Sequence, residues 1–139
     1  MSPATDALAA ALAAEHAAIY GYGALGVRLS GAAVAQGQQA EAAHRARRDA
    51  LLVRLSAVGV APPAALPAYE LPFPVPDLAS AQKLGVYLEE RTAAVWRAAL
   101  RPTTGDERKL ALDALTDCAL RAARWRRATG QQPGTVPLP

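Results

Sequence analysis

Gly59-Val60-Ala61-Pro62-Pro63-Ala64-Ala65-Leu66-Pro67-Ala68-Tyr69-Glu70-Leu71-Pro72-Phe73-Pro74-Val75-Pro76 divides the chain and decides how the rest is read. Six of the 11 prolines of the sequence stand in it. Proline locks φ and lacks the backbone donor, so this stretch is neither a helix nor a central strand. A structureless connection this long is uncommon inside a compact domain and needs a reason. Spanning the length of a helical bundle is one. At about 3.1 Å per residue in a polyproline conformation, the stretch easily covers a helix of about 35 Å.

On both sides the sequence is rich in Ala, Leu and Arg, residues that favour helix, and poor in the β-branched residues that favour strands. Ser2-Pro3 is a helix start, with serine as the cap and proline in the first position. The pattern predicts a first helix over about 3–29 and, after the Ser30-Gly31 turn, a second over about 32–58, closed by Gly59. Gly21, Gly23 and Gly26 within the first helix are read as places of close packing rather than breaks. Asp77 caps a third helix over about 78–100, Pro102 ends it, and a fourth runs over about 106–128 to Gly130. The short, long, short order of connections makes helices 1 and 2 antiparallel, 3 and 4 antiparallel, and 2 and 3 parallel across a crossover at 59–77. The tail at 131–139, with Pro133, Pro137 and Pro139, is expected to be loosely held or draped. The fold class is therefore all-α: one domain, a four-helix bundle with one long Pro-rich crossover between helices 2 and 3.

At 139 residues the chain can bury a core without staples. Its one cysteine, Cys118, excludes an internal disulfide, is read as excluding a cysteine-based zinc site, and fits a cytoplasmic setting. No basic region precedes an apolar stretch at the N-terminus, so no secretory signal is read there. The Ala-rich run from Ala7 to Gly26 carries Glu15 and His16 in its middle and is not read as a membrane span. Net charge is +3. The arginine clusters at Arg45, Arg47, Arg48 and Arg54 and at Arg121, Arg124, Arg126 and Arg127 are read as solvated helix faces rather than a nucleic-acid surface.

Residues advance about 100° along a helix. Leu8, Leu12, Ile19 and Tyr22 form the first apolar stripe, and Glu15 falls inside it. Val34, Leu51, Leu55 and Val58 mark the second, with Glu41, His44 and Arg48 on or near it. Leu84, Leu88, Val95 and Ala99 mark the third, with Glu89 on its flank and Glu90 turned away. Ala111, Leu115, Cys118, Ala122 and Trp125 mark the fourth, with Asp113 and Asp117 outside. A carboxylate in an apolar stripe must be paired, hydrogen-bonded, metal-bound or protonated. His16 reads as a surface or interface residue, Cys118 as a small buried hydrophobe, and Tyr20, Tyr22, Tyr87, Trp96 and Trp125 as packing aromatics. Gly21-Tyr22-Gly23-Ala24-Leu25-Gly26 lies inside a predicted helix with no strand before it, so it is not a dinucleotide fingerprint.

Glu41-Ala42-Ala43-His44 is a Glu-x-x-His pair, whose members share a helix face and can meet one ion. Bundles with carboxylate-bridged metals place a Glu on two helices and a Glu-x-x-His on each of the other two. Glu15, Glu41, His44 and Glu89 follow that order, and the chain resembles the ferritin-like superfamily. It is similar in particular to the ferritin-like domains of unknown function common in actinobacteria. That likeness rests on Ala13-Ala14-Glu15-His16-Ala17-Ala18-Ile19-Tyr20-Gly21-Tyr22-Gly23, on Ala43-His44-Arg45-Ala46-Arg47-Arg48-Asp49, on Tyr69-Glu70-Leu71-Pro72-Phe73-Pro74-Val75 and on Leu88-Glu89-Glu90-Arg91. The resemblance implies the ferritin-like bundle and carries no established activity.

Helix 4 departs from the metal pattern, having no histidine and no Glu-x-x-His. Two expectations follow. The first is a degenerate site in which Arg48 pairs with Glu15 or Glu41, inside a non-catalytic structural or interaction module that dimerises through the Ala/Gly-rich faces of helices 1 and 2. The second is an iron- or manganese-binding oxidoreductase with a reduced, mononuclear site at Glu15, Glu41, His44 and Glu89.

Overall fold

The computed structural model describes residues 2–130, so the tail predicted at 131–139 lies outside the described residues. Four helices follow one another, α1 (Pro3–Gly26), α2 (Ala32–Ala57), α3 (Leu78–Leu100) and α4 (Gly105–Ala128), with no strand among the described residues. The Ser2 hydroxyl accepts the Thr5 N–H at 3.1 Å and starts α1, with Pro3 behind it. Asp77 and Ser80 cap α3 reciprocally, each side chain accepting the other's backbone N–H. Behind α2, Val60 N–H reaches Leu55 O and Gly59 N–H reaches Ser56 O, both at 3.0 Å, with Gly59 at φ +75° closing the helix.

α1 stops at Gly26, three residues before the expected end. Arg28 N–H turns back to Leu25 O and Leu29 N–H to Gly26 O, a tightening to three-residue spacing that leads into Gly31 at φ +60°.

Two apolar clusters set the topology. The first joins Leu8 and Leu12 of α1, Leu51 and Leu55 of α2, Trp96 and Ala99 of α3, and Ala111 and Leu115 of α4. The second joins Tyr22 and Leu25, Ala33 and Ala40, Ala81, Leu84 and Leu88, and Trp125. One end of the bundle thus holds the start of α1 and α4 with the finish of α2 and α3, and the other end the reverse. α2 and α3 run parallel, and residues 58–77 connect opposite ends. α1 packs on α2 and α3, α3 on α4, and α2 meets α4 only lightly.

The connecting segment lies along α1. A His16 ring nitrogen faces Pro63 O at 3.1 Å, the Tyr20 and Tyr69 rings are 5.5 Å apart, and Arg28 Nε donates to Val75 O at 3.2 Å. Its later residues Leu71, Phe73 and Val75 pack on the second cluster, so the segment adds to the core as well as crossing it.

Of the three glycines read as packing sites in α1, Gly21 alone has that role. A Cβ there would meet Leu88 at 2.6 Å, whereas Gly23 and Gly26 face open space. A tighter case is Gly85 of α3, where a Cβ would stand 2.7 Å from the indole of the buried Trp125. That ring is held by its neighbours and cannot simply step aside. Gly85→Ala is expected to cost about 1–3 kcal/mol by overpacking, read as a lower denaturation midpoint at unchanged slope.

Candidate functional site

Between the two apolar clusters the bundle holds a layer of polar side chains, one or more from each helix. Glu15 (α1), His44 (α2) and Glu89 (α3) are fully excluded from solvent. His44 Nδ1 lies 2.8 Å from Glu15 Oε1, and its Nε2 lies 2.8 Å from Glu89 Oε2. Both neighbours are carboxylates that accept only, so an imidazole satisfying both must donate from both nitrogens and is an imidazolium. Burial opposes that charge. The facing Glu89 and the hydrogen bonds that His44 donates to both carboxylates outweigh it and raise the His44 pKa to about 9.

Arg121 of α4 donates from Nε to Glu89 Oε1 at 3.2 Å and reaches toward Cys118 Sγ at 3.8 Å. The Tyr22 hydroxyl donates to Glu89 Oε2 and accepts from Trp125 Nε1 at 2.9 Å, and its ring stacks on the His44 ring at 5.5 Å. Burial works to raise the Glu89 carboxyl. The His44 and Arg121 charges and the bonds from His44 and Tyr22 overcome it, holding Glu89 below its ordinary value. Burial, with Glu89 adding to it, pushes Tyr22 well above the usual phenol range. Cys118 is likewise raised, first by burial and then by the two nearby carboxylates, so its sulfur is a thiol. Glu15 Oε2 is buried with no hydrogen-bond partner among the described residues.

Of the four residues proposed from the sequence as ligands, Glu15, His44 and Glu89 come together and Glu41 does not. Glu41 is partly exposed at the α1–α2 seam and takes Arg45 Nε at 3.1 Å and Nη2 at 3.0 Å. The buried stripe of α2 is Ala33, Gly37, Ala40, His44, Leu51 and Leu55, while Val34 and Val58 lie exposed. A three-residue step leaves Glu41 about 60° away from His44, enough to carry it out of the core.

Arg48 does not meet Glu15 or Glu41 as expected: it pairs with its neighbour Asp49 at 3.0 Å, outside the network. Arg121 holds the place expected of Arg48. The sign in the sequence was its spacing, three residues after Cys118 and four before Trp125, both on the inward stripe of α4. Reading the arginines of helix 4 as a solvated face hid it, and the same holds for the buried Arg126, which pairs with Glu90. Asp113 and Asp117 lie outside the core, on Lys109 and Arg47.

One atom each of His44, Glu89 and Cys118 falls within 4.8 Å of the other two. Fold and site together define a four-helix bundle with a buried, self-paired cluster of carboxylate, imidazole and guanidinium at its middle. The chain belongs to a family described as a domain of unknown function (DUF4439), which matches residues 7–139. It is similar to the crystal structure of a conserved hypothetical protein, rv2844, from Mycobacterium tuberculosis, at 41% identity and a TM-score of 0.87 over 92% of this chain and 98% of that one. No curated protein matches it. Among the described residues no helix is long and apolar enough to cross a membrane.

Proposed function

We propose that this protein is a non-catalytic, cytoplasmic helical module, a ferritin-like bundle whose buried ion pairs take the place of a dimetal centre, and that it pairs with a second copy of itself through α1 and α2. The observation that carries the reading is the bracketing of His44 between Glu15 and Glu89, with Arg121 closing on Glu89. Two carboxylates are balanced by two cations from the chain itself, one group from each helix. Such a network specifies how four helices align more than it adds stability.

Pairing through α1 and α2 is supported by Val27 and Val34, apolar side chains 77% and 39% exposed at one end of these two helices. Small residues nearby, Gly26 and Ala42, permit close approach, and two-fold dimers are the commonest assemblies. Nucleic acid suits the surface less well, since Arg45, Arg47, Arg48, Arg54 and Arg126 already meet carboxylates.

The second reading, an iron- or manganese-dependent oxidoreductase, has Glu15, His44 and Glu89 in its favour and the fixed charge of Arg121 against it. Oxygen and peroxide uptake with iron(II) or manganese(II) separates the two. Uptake is expected to match buffer with the metal alone, and metal-dependent uptake abolished by Glu89→Gln would overturn the non-catalytic reading. Sedimentation is expected to give the mass of two chains and, for Val34→Glu, of one. A monomeric wild type would end the dimer proposal.

A further inference from the structure

We infer that His44, Glu89 and Cys118 form a structural site for one divalent cation of the zinc class, entered along the seam between α2 and α4. The inference deepens the non-catalytic reading and rests on it, because an ion of this class has no redox role of its own.

Three donor atoms of three kinds, nitrogen, oxygen and sulfur, converge from α2, α3 and α4 within 4.8 Å of one another, all buried. Zinc bonds of about 2.0–2.3 Å in a tetrahedron set donors roughly 3.3–3.8 Å apart. His44 Nε2 and Glu89 Oε2, 2.8 Å apart, therefore open by about 0.5 Å while Cys118 Sγ closes on them by up to about 1 Å, within the reach of small rotamer shifts.

The second observation is Glu15. Its Oε1 holds His44 Nδ1 at 2.8 Å and so aims Nε2 toward Glu89. A carboxylate behind the far nitrogen of a histidine is the usual support of a metal-bound imidazole. The other oxygen of Glu15, Oε2, is buried and has no partner among the described residues.

The donor set then selects the ion. A thiolate beside one imidazole and one carboxylate suits zinc or cobalt(II) rather than magnesium, calcium or manganese, which prefer oxygen. Water fills the fourth position, since the second oxygen of Glu89 accepts from Arg121. The exchange conserves charge. The cation replaces the proton between His44 Nε2 and Glu89 and the proton on Cys118, so two protons leave as one dication enters. The thiolate formed in this way offsets the nearby Arg121.

Access is also visible. α2 and α4 meet only lightly. A cavity of about 80 Å³ between them is lined by Gln36, Gln39, Ala40, Arg121, Arg124 and Trp125. Arg121 reaches from it to Glu89 with 13% of its side chain exposed. A swing of this one side chain opens the way.

The test is titration of the metal-free protein with cobalt(II) chloride and, separately, zinc chloride. Expected are one equivalent bound, a thiolate-to-cobalt charge-transfer band, release of about two protons per cation in dilute buffer, and a higher melting temperature. Cys118→Ala, checked by circular dichroism to be folded, is expected to lose the band and bind at least tenfold more weakly. Glu15→Gln is expected to keep the band and weaken binding by about 10–100-fold. Absence of binding to folded wild type would overturn the inference. So would cobalt binding that shows no thiolate band and survives Cys118→Ala, which would indicate a carboxylate site instead. Oxygen uptake with iron(II) is read independently, so loss of this site and loss of the non-catalytic reading are distinguishable.

Discussion

Replacing His44 by leucine is expected to destabilise the fold by about 3–5 kcal/mol, the cost of leaving a buried charge without its partner. The size follows from what His44 holds. It is the only side chain bonded to Glu15 among the described residues, and it supplies one of the three side-chain bonds to Glu89. Leucine matches much of the volume and offers no donor, so Glu15 becomes a fully buried carboxylate with both oxygens unmet. For a domain of this size, a loss of that order lowers the melting midpoint by about 10–20 °C. A second change separates stranded charge from lost packing. Glu15→Leu in the His44→Leu background is expected to recover part of the loss, because it removes the group that was stranded. Arg48→Leu is the contrast: Arg48 reaches only Asp49 near the surface, and its loss is expected to stay within about 0.5 kcal/mol. A His44→Leu protein as stable as wild type, or no recovery in the double variant, would remove the network from the account of this fold.

That contrast also marks how far sequence reasoning reaches. The four helices are legible because their boundaries are chemical: Ser2-Pro3, Gly31, Gly59 with its prolines, Asp77, Pro102 and Gly130 each forbid or favour one backbone state. Glu15 is legible because a carboxylate inside an apolar stripe has nowhere else to go. Glu89 and His44 follow from the same helical arithmetic, and so does Cys118 on the inner stripe of α4.

The arithmetic fails where the answer depends on a rotation of tens of degrees. Glu41 and Arg48 stand about 60° and 40° from His44 on the helical wheel, and long side chains there can turn either way. Packing decides it, and packing is a property of four helices together. Arg121 was missed for a different reason. A guanidinium enters a core only when a carboxylate from another helix awaits it, and Glu89 lies 32 residues earlier, on α3. The hydroxyl of Tyr22 is a similar case. Its ring reads correctly as packing, while its bonds to Glu89 and Trp125 depend on partners 67 and 103 residues away.

The stability of the protein is expected to fall as pH rises from about 6.5 through about 9, measured by chemical denaturation with a chelator present. His44 is the cause. Its folded-state value of about 9 lies above the ordinary 6.5, so the folded protein holds a proton that the unfolded chain releases. A group raised in this way stabilises fully below its unfolded value and loses that contribution as pH climbs past the folded one. The span amounts to about 3 kcal/mol at 1.36 kcal/mol per pKa unit. Around His44 stand Glu15 and Tyr22 of α1, Glu89 of α3, and Arg121 and Cys118 of α4. Tyr22 and Cys118 are both raised, so above about pH 9 they too keep protons that the unfolded chain gives up, and the decline continues in the same direction. Glu89, held below its ordinary value, acts on the other limb: its contribution is present above that value and is lost as the solution becomes acidic. Stability should therefore be greatest near pH 5–6, between the two limbs. A His44→Gln protein, whose amide does not titrate, is expected to lose the slope between pH 6.5 and 9 while keeping the steeper fall above it. A wild type equally stable at pH 6 and pH 9 would mean that His44 is neutral in the core, and that Glu15 and Glu89 are held by something other than an imidazolium.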